Sequence, residues 1–119
     1  MVAPAAGQVV LVRFPFSDLS QSKQRPAVVL AHAGRGDYVL CQVTSRPYGD
    51  PMSVAVEQSA FESGSLEITS YARPGKLFTA HSSLITAHVG TLTADMRARI
   101  VDAVVSLLRP APASFPSTS

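Results

Sequence analysis

Residues 23–31, Lys-Gln-Arg-Pro-Ala-Val-Val-Leu-Ala, and residues 38–45, Tyr-Val-Leu-Cys-Gln-Val-Thr-Ser, are the stretches that decide the fold. Both are rich in apolar and β-branched residues, which favour strands, and the turn sequence at residues 34–37 between them is typical of a hairpin. Antiparallel pairing of the two strands would bring the start of the first beside the end of the second. The Arg25 guanidinium would then lie near the hydroxyls of Thr44 and its neighbour, a combination that suits a phosphate.

The segments outside this hairpin predict a mainly β chain of short strands. We expect strands at Val9–Phe14, Pro26–Ala31, Tyr38–Thr44, Ser53–Glu57, Leu66–Ile68 and Val89–Leu92, with a turn at Glu62–Ser65 and a flexible loop at Ser17–Gln24. The segment Tyr71–Thr79 is extended but contains Pro74 and Gly75, so we expect it to be bent or bulged at the edge of the sheet.

The C-terminal quarter of the chain predicts one helix, from Thr93 to Leu108, that Pro110 terminates. The Thr93 hydroxyl can cap the first turn. At helical spacing, one apolar face is expected to pack on the strands, and it comprises Met96, Ile100, Val104, Leu107 and Leu108. Residues 1–109 then form a single domain, and the Pro- and Ser-rich residues 110–119 are predicted to be a disordered tail. This pattern indicates a small barrel with a helix, without choosing between an SH3-like and an OB-like barrel.

The composition fits one small globular domain. Of the 119 residues, 46% are hydrophobic and 15% are charged, and the formal net charge is only +2, so a general coating of nucleic acid is not implied. A local basic patch is compatible with this charge. The N-terminus does not have the pattern of a signal peptide, and no apolar run approaches the roughly 20 residues that span a bilayer. We therefore expect a cytoplasmic protein without a membrane segment.

The ionisable residues indicate neither a metal site nor a cofactor. No Asp, Glu or His cluster has the spacing of metal ligands, and the single cysteine, Cys41, cannot form an internal disulfide. Because Cys41 lies in an apolar strand pattern, we interpret it as a small buried hydrophobic residue.

Several motifs in order give the chain a family resemblance. They are Gly7–Asp18, the Arg25–Leu30 run, the Val43–Ser45 strand end, Tyr71–Thr79 and Val89–Thr93. From about Gly7 to Leu108 the chain resembles the MazF/PemK-like toxins of bacterial toxin–antitoxin pairs. The resemblance implies a mainly β fold, a small SH3-like barrel of the MazF/CcdB type closed by a C-terminal α-helix.

The same resemblance implies a function and partners. It indicates a sequence-specific, metal-independent endoribonuclease that cleaves single-stranded RNA, such as mRNA, with the substrate 2′-hydroxyl as nucleophile. It also implies a homodimer and an antitoxin protein as partner. The alternative is a non-catalytic barrel that inhibits a protein target such as a topoisomerase. A related gyrase-directed family typically carries an exposed tryptophan on its last helix, and this chain contains no tryptophan.

Arg25 and Thr44 are the predicted catalytic residues. By resemblance, the arginine acts on the scissile phosphate and the threonine donates to it. Because the pKa of arginine exceeds about 12 in water, we assign Arg25 charge stabilisation first and proton transfer second. The residue types alone would also fit a surface arginine and an ordinary strand threonine.

Eight further residues are predicted to bind substrate: Phe16, Ser17, Lys23, Gln24, Ser45, Arg73, Lys76 and His81. Phe16 could stack on a base, although alternation with Phe14 also fits core packing. Some relatives carry an aspartate that serves as base where this chain has Gly75. His81 stands where relatives often have an aspartate, and if it faces the groove its imidazole could transfer the proton near neutral pH. Otherwise it is an exposed loop residue.

Overall fold

The computed structural model describes residues 3–14 and 23–110, apart from the side chains of Phe14 and Lys23. Seven strands precede one helix in this part of the chain: β1 Gln8–Phe14, β2 Lys23–Gly34, β3 Asp37–Thr44, β4 Val54–Val56, β5 Phe61–Gly64, β6 Ser70–His81, β7 Ile85–Leu92 and α1 Ala94–Leu108. The strands form one antiparallel sheet in the order β4-β6-β3-β2-β1-β7-β5, curved into a half-barrel. The predicted mainly β barrel class with a C-terminal helix is confirmed.

Strands β2 and β3 form the predicted hairpin. Ala27 pairs with Gln42, and Gly34 pairs with Asp37 at the closed end. The two residues between them, Arg35 and Gly36, both have positive φ, 56° and 80°. That backbone is the type I′ turn whose twist matches a right-twisted strand pair. The turn closes the hairpin, and two register shifts along β2, between Val29 and Ala31 and between His32 and Gly34, lead to the pairing that brings the start of β2 beside the end of β3.

Strand β2 begins three residues earlier than the sequence predicted, at Lys23 rather than Pro26. Lys23 and Gln24, expected in the preceding loop, pair with β1. Arg25 is thus the third residue of a strand and not its first. Pro26 lies just outside the pairing with β3, which begins at Ala27, so its missing N–H does not interrupt that ladder. The remainder of the predicted loop, residues 17–22, lies outside the described residues.

Two further predictions, one of a strand and one of a turn, are wrong. The strand expected at Leu66–Ile68 is an irregular connection, and the turn expected at Glu62–Ser65 overlaps β5. Gly64 in β5 approaches Gly90 in β7 so closely that a β-carbon on Gly64 would lie 2.5 Å from the Gly90 Cα. Two glycines at a close backbone approach permit the pairing that the polar local sequence did not indicate.

The extended segment around Pro74 is bulged at a sheet edge, as predicted. β6 pairs with β4 only at residues 70–72, so in the described sheet the later residues of β6 pair with β3 alone, and that pairing shifts register between Cys41 and Val43. The predicted bulge is therefore present at residues 73–76. The bulge accommodates Pro74, and paired backbone continues on either side of it.

Helix α1 packs one face on the sheet. The Thr93 hydroxyl accepts a hydrogen bond from the Met96 N–H, which makes Thr93 the cap as predicted. Met96, Ile100 and Val104 are buried, and the first two belong to a cluster with Val9, Val28, Cys41, Val43, Val56, Ala60, Ala72 and Leu92. The predicted apolar face does not continue to the helix end, because Leu107 and Leu108 are 37% and 68% exposed.

A second buried cluster lies on the other face of the sheet: Val10, Val12, Ala27, Val29, Tyr38, Leu40 and Ala80. Both faces of the central strands are therefore apolar, which explains their near-continuous hydrophobic runs. In the described part of the chain, no helix has the length and apolar character needed to cross a membrane. Most of the tail predicted at 110–119 lies outside the described residues.

Candidate functional site

Arg25 and Thr44 line one cleft of about 380 Å³ at the end of the sheet. The last pair of the β2–β3 ladder is Ala27 with Gln42, so Arg25 and Thr44 lie just beyond the paired part of the two strands. The rest of the lining consists of Leu11, Gln24, Pro26, Val43, Ser45, Leu66, Ile68 and Ser70. A guanidinium and several polar side chains thus line one concave site together with apolar side chains.

Strand pairing places a further residue next to Thr44. Thr44 pairs with Tyr71 of β6, and Arg25 pairs with Val12 of β1. Cross-strand partners share one face of a sheet, so Tyr71 lies beside Thr44, although it is not among the residues that line the cleft. The sequence did not single out Tyr71, because it follows Thr44 by 27 positions and only the pairing of β3 with β6 brings the two together.

The Thr44 hydroxyl is oriented by the backbone that follows the strand. It accepts a hydrogen bond from the Arg46 N–H at 3.1 Å, and it lies 3.3 Å from the Arg46 carbonyl. The 3.3 Å contact is long for an O–H donor, so the hydroxyl proton can be given to a better acceptor. Strand β3 ends at Thr44, and Ser45 therefore turns out of the strand and lines the same cleft.

Arg73 is held by a carboxylate that the sequence did not single out. Its Nε donates to Asp50 Oδ2 at 2.9 Å, which ties the β3–β4 connection to β6. The hydrogen bond from Arg73 lowers the pKa of the Asp50 carboxyl, and a second one from the Met52 N–H adds to it. Asp50 is therefore a weak base beside a fixed guanidinium. Lys76, at the other end of the β6 bulge, is exposed.

Cys41 lies below this bulge. Its Sγ is 3.3 Å from the Arg73 carbonyl oxygen, to which the thiol donates. Burial raises the pKa of the Cys41 thiol to about 12, and this effect outweighs a smaller, opposing effect of the Arg73 backbone. The thiol is consequently protonated and inert at neutral pH, as expected for a small buried residue.

His81 lies at the opposite end of β3 from Thr44. It pairs with Asp37, the first residue of that strand. At about 3.3 Å per residue, Asp37 and Thr44 are about 23 Å apart. The His81 Nδ1 accepts a hydrogen bond from the Ser83 N–H at 3.1 Å and lies 3.0 Å from the Ser83 hydroxyl. The ring caps a short 3₁₀ turn, and the structure does not bring it together with Arg25 and Thr44.

Gln24 is exposed at the rim of the cleft, where its Oε1 accepts a hydrogen bond from the Thr86 hydroxyl of β7 at 3.2 Å. Phe16 and Ser17 lie outside the described residues, as does the side chain of Lys23. Within residues 3–14 and 23–110, no three His, Cys, Asp or Glu side chains lie together in a group that could hold a metal ion.

Solved structures of bacterial toxins share this fold. A MazE–MazF complex from Deinococcus radiodurans is 25% identical to the chain with a TM-score of 0.72, and covers 90% of this chain and 97% of its own. An endoribonuclease in complex with its cognate antitoxin from a mycobacterial species is 20% identical with a TM-score of 0.70, and covers 94% and 100%. The Mycobacterium tuberculosis toxin MazF-mt6 is 14% identical with a TM-score of 0.67, and covers 85% and 95%. No curated protein matches the chain.

The resemblance seen in the motifs is confirmed along nearly the whole chain. A family model for the PemK-like, MazF-like toxins of type II toxin–antitoxin systems matches residues 5–108. That range includes all seven strands and the entire helix of the described structure. Arg25 and Thr44, which line the cleft, both lie within it. The chain therefore belongs to the PemK-like, MazF-like toxins of type II toxin–antitoxin systems.

Proposed function

We propose that this protein is a toxin endoribonuclease that cleaves single-stranded RNA at a short sequence without a metal ion. The observation that carries the proposal is the cleft that Arg25 and Thr44 line from the adjacent strands β2 and β3. The endoribonuclease activity named for the mycobacterial structures supports it. Family membership supports action on cellular RNA in the cytoplasm.

In the proposed reaction, the 2′-hydroxyl of the substrate attacks its own 3′-phosphate. The 2′-oxygen forms a new bond to phosphorus, and the bond to the 5′-oxygen of the next nucleotide breaks. The products are a 2′,3′-cyclic phosphate and a 5′-hydroxyl. Arg25 stabilises the charge on the non-bridging oxygens through its planar guanidinium, and the Thr44 hydroxyl donates to one of them.

The proton transfers follow from the composition of the cleft. Among the described residues that line it, only Arg25 is ionisable, and an arginine remains protonated at neutral pH. We therefore assign most of the rate acceleration to orientation and charge stabilisation. Water takes the proton from the 2′-hydroxyl, and the departing 5′-oxygen receives a proton from water or from the Arg25 guanidinium, which water then reprotonates. The cleavage rate should then vary little between about pH 6 and 8, where histidine titrates.

We further propose an antitoxin protein as the natural inhibitor and a homodimer as the functional unit. Two of the similar structures are complexes of a toxin with an antitoxin. An antitoxin segment that covers the Arg25 and Thr44 cleft would compete directly with RNA. Co-expression of the antitoxin should restore growth and remove RNA binding, and the molecular mass in solution tests the homodimer.

The test is incubation of the purified protein with a long RNA in EDTA, followed by mapping of the fragment ends. We expect cleavage, 5′-hydroxyl ends and cyclic phosphates. Arg25→Ala should lose cleavage, and Arg99→Ala, a change of an exposed helix arginine, should not. Ends bearing a 5′-phosphate, or activity that chelation removes, would overturn the metal-free mechanism. Toxicity that persists in Arg25→Ala would instead favour a protein target.

A further inference from the structure

The connection between β3 and β4 contains a tight turn with an unusual residue at its corner. The Asp50 N–H donates to the Pro47 carbonyl at 3.0 Å, and the two residues between them, Tyr48 and Gly49, have φ of 53° and 72°. This backbone has positive φ at both central positions, where glycine, asparagine and aspartate predominate. A tyrosine there carries a steric cost, about 1–2 kcal/mol for an L-residue in the left-handed region.

Packing does not compensate for that cost. The Tyr48 side chain is 77% exposed, the most exposed of the large hydrophobic residues in the described chain. A turn whose only role was to reverse the chain would be more stable with asparagine at this position. A strained bulky residue that points into solvent is typical of a functional contact.

Side-chain hydrogen bonds hold the turn on both sides. Asp50 Oδ2 accepts from Arg73 Nε of β6 at 2.9 Å, and Asp50 Oδ1 accepts from the Met52 N–H at 2.9 Å. On the other side, the Arg46 N–H donates to the Thr44 hydroxyl at 3.1 Å. The Tyr48 ring is thus exposed, while the backbone of its turn is held by hydrogen bonds to the sheet and to a residue of the cleft.

We propose that Tyr48 is the base-stacking residue of this site, on which a nucleobase beside the phosphate held by Arg25 and Thr44 packs its face. The inference rests on the proposed endoribonuclease function. Tyr48 follows Thr44 by four positions, so their Cα atoms are within about 14 Å, a span that one or two nucleotides cover. Single-stranded RNA is commonly recognised by stacking of unpaired bases on aromatic side chains. The basic side chain of Arg46, two positions before Tyr48, suits an adjoining phosphate.

The experiment measures binding of a single-stranded RNA that carries a 2′-deoxy residue at the mapped cleavage site and therefore stays intact. 2-Aminopurine, whose fluorescence falls when it stacks, replaces each neighbouring base in turn. Wild type is compared with Tyr48→Ala, Tyr48→Phe and Tyr48→Asn. Phenylalanine keeps the ring as the matched control, and asparagine removes it while relieving the strained backbone.

We expect Tyr48→Ala and Tyr48→Asn to weaken binding about tenfold, within the range measured for loss of a stacked base. In both variants the quenching at one base position should be lost. Tyr48→Phe should retain affinity and quenching. Tyr48→Asn should also melt at a higher temperature than wild type, so stability and affinity move in opposite directions, which a purely structural residue would not produce.

Two outcomes would overturn the inference in distinguishable ways. If Tyr48→Ala and Tyr48→Asn bind the RNA with the affinity and quenching of wild type, Tyr48 has no stacking role, and the endoribonuclease proposal stays intact. Wild-type protein that binds and cleaves no RNA would remove both.

Discussion

Strand β3 has a polar region at each of its two ends, and the two regions differ in shape and in hydrogen bonding. At the Thr44 end, Arg25, Thr44 and Ser45 line an open cleft. At the Asp37 end, the His81 ring is engaged by Ser83, and the Ser82 N–H donates to the Gly36 carbonyl at 2.8 Å. The Thr44 end is thus a concave surface with a guanidinium in its lining, whereas at the Asp37 end the imidazole caps a turn.

The comparison shows why residue type is a weak guide to function at a strand end. His81 has the chemistry of a proton shuttle, yet its Nδ1 caps a turn and its Nε2 would lie 2.8 Å from a β-carbon placed on Gly36. Thr44 is a common strand residue, yet it lines a concave site together with an arginine. His81 and Thr44 therefore differ because of their positions in the sheet and not because of their chemical types.

The largest expected effect is on the core that both ends share. Ile100→Asp should abolish folding, because Ile100 is fully buried and an unpaired buried charge costs several kcal/mol. Circular dichroism and thermal melting measure the loss. Ile100→Val is the control and should cost only about 0.5–1.5 kcal/mol. Wild-type melting of Ile100→Asp would show that this helix face is not in the core.

The second-largest expected effect distinguishes the two ends of β3 by their part in RNA cleavage. Arg25→Ala should lower the RNA cleavage rate about a hundredfold or more, as loss of a transition-state donor does, while the melting temperature hardly changes. His81→Asn, at the other end, should keep the wild-type rate and pH profile, measured on the same substrate between pH 5.5 and 8.5. A flattened profile in His81→Asn would return the imidazole to the mechanism.

The third prediction concerns the Asp37 end of β3 and the free energy of unfolding. Gly36→Ala should destabilise the protein by about 1–2 kcal/mol, because φ is +80° and the new β-carbon meets the His81 ring. Urea unfolding measures the cost, and cleavage per folded molecule should stay at the wild-type rate. The exposed Gly75, whose β-carbon would contact nothing within 4 Å, provides Gly75→Ala as a control. An equal loss in both variants would contradict the role of the turn.

A smaller effect is expected at Asp50, because its lowered pKa makes the stability of the fold depend on pH. The folded-state pKa lies below the ordinary value, so the carboxylate stabilises the fold above about pH 4 and this contribution is lost as the pH falls through the folded-state pKa. Asp50→Asn should therefore melt slightly below wild type at pH 7, and the difference should vanish in acid. A difference that does not change with pH would show that the ion pair with Arg73 is not its source.

The smallest effect concerns Cys41, near the middle of β3. Since its pKa is raised to about 12, the folded state favours the thiol, and its contribution to stability is lost only as the pH rises above the ordinary value near 9. Native protein should resist alkylation by iodoacetamide at pH 8 and react once unfolded in urea. Rapid native alkylation, followed by mass spectrometry, would contradict the burial.

Local sequence determined the parts of this protein that depend on neighbouring residues. The hairpin follows from two apolar runs around Arg35 and Gly36, and the helix follows from a capping threonine and a face of Met96, Ile100 and Val104. Each depends on contacts within a few residues, where periodicity and turn chemistry decide the backbone. The family resemblance also follows from local motifs.

Tertiary structure alone decided which polar groups meet. Pairing of distant strands set Tyr71 beside Thr44, fixed Asp50 on Arg73 and carried His81 to the far end of the sheet. It also made a strand of Phe61–Gly64, where two glycines let backbones approach. Local patterns specify how each segment folds, but register, bulges and long-range hydrogen bonds specify which segments touch, and a site is built from those contacts.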